Sequence, residues 1–281
     1  MPTLILPPTS DLEQFFREYP LAGIGNYEQN KINLANLFNA QYLYIFFCDF
    51  FTEHIESHYE IYERTQIMNY TGQLFIHEFE GLIVNFLYGV YSSAARTMRW
   101  VLETTLASTI ATIDSSILDR RYRNAMSVEQ FQDWLAKHDN DPYNYRIKRK
   151  EICTKLGLAR KINHIEQVYD QLSRFSHLST RTFSRPYADP NFHTRLSVNQ
   201  PLFNSVFSLT VKTIDLSLFC FIYIISKATD MSLPELKHVI KDIKKYNFAH
   251  NQKYLDRKNG GYLLPRNIPL TWSIIKRIIN T

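Results

Sequence analysis

The feature that most constrains this chain is a stretch of 121 residues without proline, between Pro20 and Pro142. Proline inside an α-helix removes a backbone hydrogen bond and clashes with the preceding turn, so its absence leaves room for long helices. Apolar residues recur through this stretch at the three- and four-residue spacing of a helix face. No run of alternating polar and apolar residues marks a strand. The sequence therefore predicts an all-α helical bundle, a single domain over residues 1–281.

Two long helices are predicted at the N-terminal end of this bundle. The first runs from about Tyr27 to Thr65 and the second from about Gly72 to Asp114. Small residues in the middle of the second helix predict that a neighbouring helix packs closely there. These small residues are Gly81, Gly89, Ala94 and Ala95.

Local signals predict shorter helices along the rest of the chain. Ser127 followed by Gln130 is a capping box, which predicts a helix to about Lys137. A basic helix is expected over residues 145–156, ended by Gly157, and another helix over residues 159–178. The most apolar segment predicts a buried helix near residues 202–229. Residues 179–201 read as a loop, and two further helices are expected at about 232–246 and 270–279.

The positive charge of the chain is concentrated in its C-terminal half. The formal net charge is +5, but residues 1–143 carry 9 Lys and Arg against 18 Asp and Glu. Residues 144–195 carry 11 against 4, and residues 241–281 carry 9 against 2. An acidic half, 1–143, thus precedes a basic half, 144–281, which predicts a surface for a phosphate-bearing partner such as RNA. The alternative is that the two halves neutralise each other, within one chain or across a homodimer.

The densest basic cluster lies in the predicted helix at residues 145–156. Four cations in five positions wrap around that helix, so we expect them to be largely solvated and to bind RNA phosphates. They are Arg146, Lys148, Arg149 and Lys150. Tyr143 and Tyr145 lie beside them and provide rings on which single-stranded bases can stack, although tyrosines at a helix start also serve in packing.

Cysteine usage and hydropathy predict a cytoplasmic protein. The three cysteines are far apart in apolar or helical stretches, which favours reduced buried thiols over a disulfide framework or a zinc site. The N-terminal segment lacks the basic region of a signal peptide and is broken by Pro7 and Pro8. The most apolar run, Thr213 to Ser226, has 14 residues, too few to span a bilayer. We therefore expect no membrane association.

Two segments place charged side chains on one face of a helix. In the segment Tyr169 to Arg181, the helical spacing of i, i+4, i+7 and i+11 aligns Asp170, Arg174, His177 and Arg181. In the segment Tyr91 to Glu103, the spacing of i, i+3 and i+7 aligns Arg96, Arg99 and Glu103. Charges inside an apolar helix are costly unless paired, so the second set forms either a salt-bridge network or a site. For the first set, the simpler alternative is an Asp170–Arg174 ion pair with His177 capping the helix end.

Together the two segments resemble the HEPN-like all-α families of prokaryotic defence and abortive-infection systems. The matching residues, within about residues 74–180, are Arg99 and Glu103, followed by Leu172, Ser173, His177 and Ser179. The resemblance implies an RNA-binding protein and, for members with an active site, a metal-independent endoribonuclease. The family signature separates an Arg and a His by four to six residues, whereas two residues separate Arg174 from His177.

If the site is active, the resemblance assigns His177 the role of general acid or base beside a 2′-hydroxyl. Arg174 and Arg99 would stabilise the charge that develops on the phosphorus centre, and Glu103 would orient one of these groups. Arg96, Asp170 and Arg181 would contribute to binding.

No cofactor or metal is expected. His54 and His58 have the i, i+4 spacing of two metal ligands, but they lie in a polar segment that reads as an exposed helix end. The motifs of P-loop, dinucleotide-binding and serine-hydrolase sites are missing from the sequence. Three interpretations remain open. The first is an RNA-binding protein that cleaves RNA in a defence or stress response, the second is a non-catalytic helical scaffold that dimerises or binds a partner, and the third is a small-molecule site between the helices.

Overall fold

A computed structural model describes residues 59–114, 126–138, 142–176 and 200–228, with separate helical positions between 27 and 49 and between 269 and 274. Of the residues that it describes, 94% are helical and none lies in a strand. The prediction of an all-α bundle is therefore confirmed.

The first two helices meet at a glycine turn. Helix α1 spans Tyr59–Leu87 and helix α2 spans Tyr91–Asp114. Gly89 adopts a φ of 70°, and two backbone bonds, from Gly89 N to Phe86 O and from Val90 N to Asn85 O, close the end of α1 as a Schellman motif.

Two of the predicted helix boundaries in this region are wrong. A single helix over Gly72–Asp114 is excluded because Gly89 supplies the left-handed residue that ends α1. The expected break at residues 66–71 does not exist, since α1 continues through that segment. The segment contains no proline and no glycine, so the backbone there has no reason to leave the helix.

Of the next two helices, the first and the C-terminal end of the second follow the prediction, whereas the second begins at Pro142, three residues before the predicted start. Helix α3 spans Val128–His138 and begins with the capping box: Gln130 N donates to Ser127 Oγ, and Ser127 N donates to Gln130 Oε1. Helix α4 spans Pro142–Lys155 and ends at Gly157, whose φ is 69°. Leu158 N and Gly157 N complete a second Schellman motif on the carbonyls of Cys153 and Thr154.

Helix α2 is the centre of the described bundle. A 3₁₀ turn, Ala159–Lys161, leads into helix α5, Ile162–Ser176, and helix α6 spans Gln200–Ala228. Helix α2 packs against α1, α5 and α6, and almost every residue from Val101 to Thr112 is buried. The predicted loop extends to Pro201, but α6 already includes Gln200 and Pro201, as the first turn of a helix tolerates proline.

Aromatic rings fill the core where α1 and α6 meet the helical residues described between 27 and 49. Tyr44 lies 5.6 Å from Phe75, 5.3 Å from Phe79 and 5.4 Å from Phe221, measured between ring centroids. All four side chains have no exposed surface. Gly72 of α1 permits this packing, because a β-carbon there would stand 2.7 Å from Cys48 Sγ and 3.1 Å from the Phe221 ring.

Asp215 anchors the C-terminal helical positions to α6. Its carboxylate accepts hydrogen bonds from the backbone N–H groups of Leu270 and Thr271, at 3.0 and 2.9 Å. Thr271 Oγ1 in turn donates to the Asp215 carbonyl at 2.9 Å. Because the first N–H groups of a helix have no partner within the helix, a carboxylate from α6 caps this helix from outside.

Among the described residues, α6 is the one helix whose length and composition would suit a membrane span. Its segment Gln200–Ile224 reaches a mean hydropathy of 1.6, and 72% of its most apolar window is buried inside the protein. The central helix of a soluble bundle has the same character, so this composition is weak support for a membrane.

Candidate functional site

The packing of α2 on α5 joins the two charged segments that the sequence analysis singled out. Arg99 of α2 donates from Nη2 to the hydroxyl of Tyr169 on α5, at 3.0 Å. The same guanidinium donates from Nε to Glu103 Oε1 at 3.0 Å. The Glu103 carboxylate is near enough to the Tyr169 hydroxyl to raise its pKa. Arg99, Glu103 and Tyr169 therefore form one polar triangle, and its hydrogen bond from Arg99 to Tyr169 joins residues 70 positions apart.

The helical spacing of both elements produces this contact. On α2, Met98 and Leu102 are buried in the core. Arg99 comes directly after Met98 and Glu103 directly after Leu102, so both charged residues lie at the edge of the buried face. On α5, Ile165, Val168, Tyr169 and Leu172 form the apolar face. Tyr169 can join that face and still reach Arg99, because a tyrosine has an apolar ring and a polar end.

Arg149 of α4 packs on the ring of Tyr169, a member of this cluster. Its guanidinium carbon is 3.8 Å from the centre of the Tyr169 ring, and that of Arg99 is 5.1 Å from the same centre. Arg149 has 2% of its surface exposed. The expectation that the cations of this helix are largely solvated is wrong for Arg149, because α4 packs against α2 and α5 and turns this position inward.

The charges of the cluster determine its protonation. Burial lowers the pKa of the Arg99 guanidinium, but Glu103 and Tyr169 oppose that effect and the net pKa is raised. Burial raises the pKa of the Tyr169 hydroxyl, and Glu103 adds to this effect, whereas Arg99 and Arg149 reduce it. Arg99 therefore keeps its charge and Tyr169 its proton at neutral pH, and both can donate hydrogen bonds to an anion.

Tyr169 is the member of the cluster that sequence reasoning missed. It is the first residue of the segment Tyr169 to Arg181, but its apolar spacing with Ile165, Val168 and Leu172 marks it as a core residue. The sequence carries no signal that distinguishes it from such a residue, because its role comes from contacts with two other helices.

The remaining predicted site residues are spread over the surface or lie outside the described residues. Arg96 of α2, Lys150 of α4 and Arg174 of α5 are exposed, and Asp170 is half-buried; Asp170 and Arg174 each make further interactions. Arg146 and Lys148 belong to α4, but their side chains lie outside the described residues. His177 and Arg181 lie outside them altogether.

A second basic surface, which the sequence analysis did not single out, lies where α5 begins beside α6. Four exposed residues form it: Arg160 and Lys161 of the 3₁₀ turn, His164 of α5 and Lys212 of α6. Burial lowers the pKa of the His164 imidazole, and the nearby charges of Lys212 and Lys161 lower it further. Within the described part of the chain, Arg160, Lys161 and Lys212 form no ion pair with a carboxylate. We call these four residues the α5–α6 basic surface.

No group of three or more His, Cys, Asp or Glu side chains that could hold a metal occurs among the described residues. His54 and His58 lie outside them. Cys48, Cys153 and Cys220 are buried free thiols, as the sequence predicts. Burial raises the pKa of Cys153 to about 11, and that of Cys48 and Cys220 to about 12.

In comparisons with known proteins, no family model, no curated protein and no solved structure matches the chain.

Proposed function

We propose that this protein binds RNA through its basic half and cleaves it without a metal, in the manner that the HEPN-like resemblance implies. The observation that carries the proposal is the contact of Arg99 with Tyr169, which brings the α2 and α5 segments of the resemblance to one place. A phosphodiester substrate needs cationic hydrogen-bond donors held in fixed positions, and Arg99 is held by Glu103 and Tyr169.

The α5–α6 basic surface supports the binding part of the proposal. Its cations are exposed and have no described carboxylate partner, so they are available to phosphates. His164 stands among them with a lowered pKa, and a bound phosphate would favour its protonated form. A surface of this kind binds an RNA backbone by charge and is therefore sensitive to salt.

Salt-titrated binding tests this surface directly. The affinity for a single-stranded oligoribonucleotide is measured by fluorescence anisotropy for the natural chain and for the K161Q/K212Q variant. Two lost phosphate contacts should reduce the slope of log affinity against log salt by about 1.4. Lys137, exposed on α3 in the acidic half, provides the matched control K137Q, which should leave the slope unchanged. An unaltered slope in K161Q/K212Q would remove the α5–α6 basic surface from the proposal.

Cleavage is tested with the same oligoribonucleotide in the presence of a chelator. The proposal predicts cleavage that is lost in H177A and that fails on a strand whose 2′-hydroxyls are replaced by hydrogen, because the 2′-oxygen is the nucleophile. Cleavage that persists in H177A would contradict the assigned role of His177.

The second candidate function is a non-catalytic scaffold or partner-binding protein. It is favoured by the polar triangle of Arg99, Glu103 and Tyr169, in which each polar group already has a protein partner. A scaffold of this kind requires the triangle for stability alone. This second function is supported if Y169F has a lower melting temperature than the natural chain and the natural chain binds no RNA at low salt.

A further inference from the structure

Arg149 is a buried cation without the partners that a buried cation requires. Its side chain is 98% buried, and neither Nε nor Nη1 has a hydrogen-bond partner among the described residues. A guanidinium does not lose its proton in proteins, so it cannot escape the cost of burial by becoming neutral. Buried polar groups are nearly always hydrogen-bonded, and an exception calls for a physical explanation.

The described neighbours of Arg149 supply only part of what is missing. The Tyr169 ring, 3.8 Å away, offers its electron-rich face but no hydrogen-bond acceptor. The Glu103 carboxylate accepts a hydrogen bond from Arg99 and is not a partner of Arg149 Nε or Nη1. Glu166, one turn before Tyr169 on α5, forms no ion pair with Arg149 in the described part of the chain. No carboxylate among the described residues forms an ion pair with Arg149, which leaves an excess positive charge at this junction of α2, α4 and α5.

We infer that Arg149 is the centre of a recessed oxyanion site, and that its ligand is a phosphate group carried at the end of a chain or free in solution. A phosphate oxygen would accept from one of the unpartnered N–H groups and neutralise the excess charge. The inference rests on the proposed function in one respect, which is that an RNA end is the carrier expected there.

Burial favours a terminal phosphate over an internal phosphodiester. An internal phosphodiester has a sugar on both sides, and it can contact only groups that the surface presents. A terminal phosphate has a sugar on one side and can enter a recess. It also carries close to two negative charges at neutral pH, against one for a phosphodiester, and therefore compensates a buried guanidinium better.

The first experiment measures the melting temperature against inorganic phosphate, with sodium chloride of the same ionic strength as reference. A ligand that binds the folded state raises the melting temperature, by several degrees when it is far above its Kd. We expect this rise in the natural chain and in K137M, a matched control because Lys137 is exposed on α3 and has no proposed part in binding. We expect it to be lost in R149M and R149K, because methionine has no N–H donor and the lysine ammonium ends short of the Nη atoms and lacks the planar arrangement of guanidinium donors. If R149M fails to fold, R149K, which keeps the charge, provides the result.

The second experiment separates the two sources of phosphate. The affinities for one oligoribonucleotide are compared with a 5′-phosphate, a 3′-phosphate or hydroxyls at both ends. Tighter binding of a phosphorylated end that disappears in R149K supports a terminal phosphate as the ligand. Equal binding of all three, with the phosphate-specific rise in melting temperature intact, supports free phosphate.

The inference is overturned if phosphate raises the melting temperature no more than chloride does, or if the rise persists in R149K. The proposed function fails separately: RNA binding can be absent while phosphate still stabilises the protein through Arg149. Conversely, RNA binding that depends on Lys161 and Lys212 can be present while phosphate has no effect at Arg149.

Discussion

Replacing Gly72 by alanine should destabilise the protein, although the same substitution at Gly81 in the same helix should stabilise it. Both glycines lie inside α1, where alanine is favoured over glycine by about 1 kcal/mol. A β-carbon at Gly81 meets no atom within 4 Å. A β-carbon at Gly72 stands 2.7 Å from Cys48 Sγ and 3.1 and 3.2 Å from two atoms of the Phe221 ring.

The surroundings of Gly72 determine the size of the effect. Carbon atoms in contact lie about 3.5–4.0 Å apart, so the new methyl group overlaps its neighbours by up to about 1 Å. Phe221 cannot withdraw easily, because it is fully buried and packs against Tyr44 and Phe75. Overpacking of this kind costs about 1–3 kcal/mol, and that cost is the expected difference between G72A and G81A, since the helix preference is common to both.

Urea unfolding of the two variants, followed by circular dichroism, measures this difference. The double variant G72A/C48A tests its cause, because removal of Cys48 Sγ deletes the closest contact and should return part of the lost stability. The reasoning is refuted if G72A is as stable as G81A, or if G72A and C48A destabilise the protein additively.

Three further predictions concern the cap of α3, the Asp215 carboxylate and the buried thiols. S127A removes the hydroxyl that caps α3 and should lower the free energy of unfolding by about 0.5–2 kcal/mol in urea titrations; an unchanged midpoint would contradict the cap. D215A leaves two N–H groups of residues 269–271 without their carboxylate and should speed amide hydrogen exchange at Leu270 and Thr271; unchanged protection would show that another group holds that segment. Thiols with a raised pKa bind protons more tightly in the folded state, so their stabilising contribution is complete below about pH 9, the ordinary thiol range, and is lost as pH rises toward 12. Unfolding titrations at pH 8 and pH 10.5 should show this loss, and it should shrink in C48A.

The parts of the fold that the sequence predicted depend on local chemistry. The proline-free stretch and the helical spacing of apolar residues predicted an all-α protein. The capping box at Ser127 and the stop at Gly157 were correct because both motifs satisfy backbone groups within a few residues. The boundary at Gly89 was missed because a glycine can permit close packing or end a helix, and its spacing does not tell which.

The candidate site was predictable to a smaller degree. The sequence placed Arg99 and Glu103 on one helix face and predicted either a salt-bridge network or a site there, and the structure pairs the two residues. It gave no indication that Tyr169 would join them or that Arg149 would be buried. Four cations in five positions look alike along a solvated helix, and it is the packing of α4 on α2 and α5 that distinguishes Arg149 from its neighbour Lys150.

The sequence by itself determined the helical class of this protein, the cap at Ser127, the helix end at Gly157 and the uneven distribution of its charge. The helical class and the two helix ends follow from interactions between residues close together in the chain. The tertiary structure decided which glycine permits close packing, which carboxylate holds the C-terminal segment and which arginine loses its contact with water. Each of these depends on atoms from helices distant in sequence, and no local pattern specifies how such helices are rotated against one another.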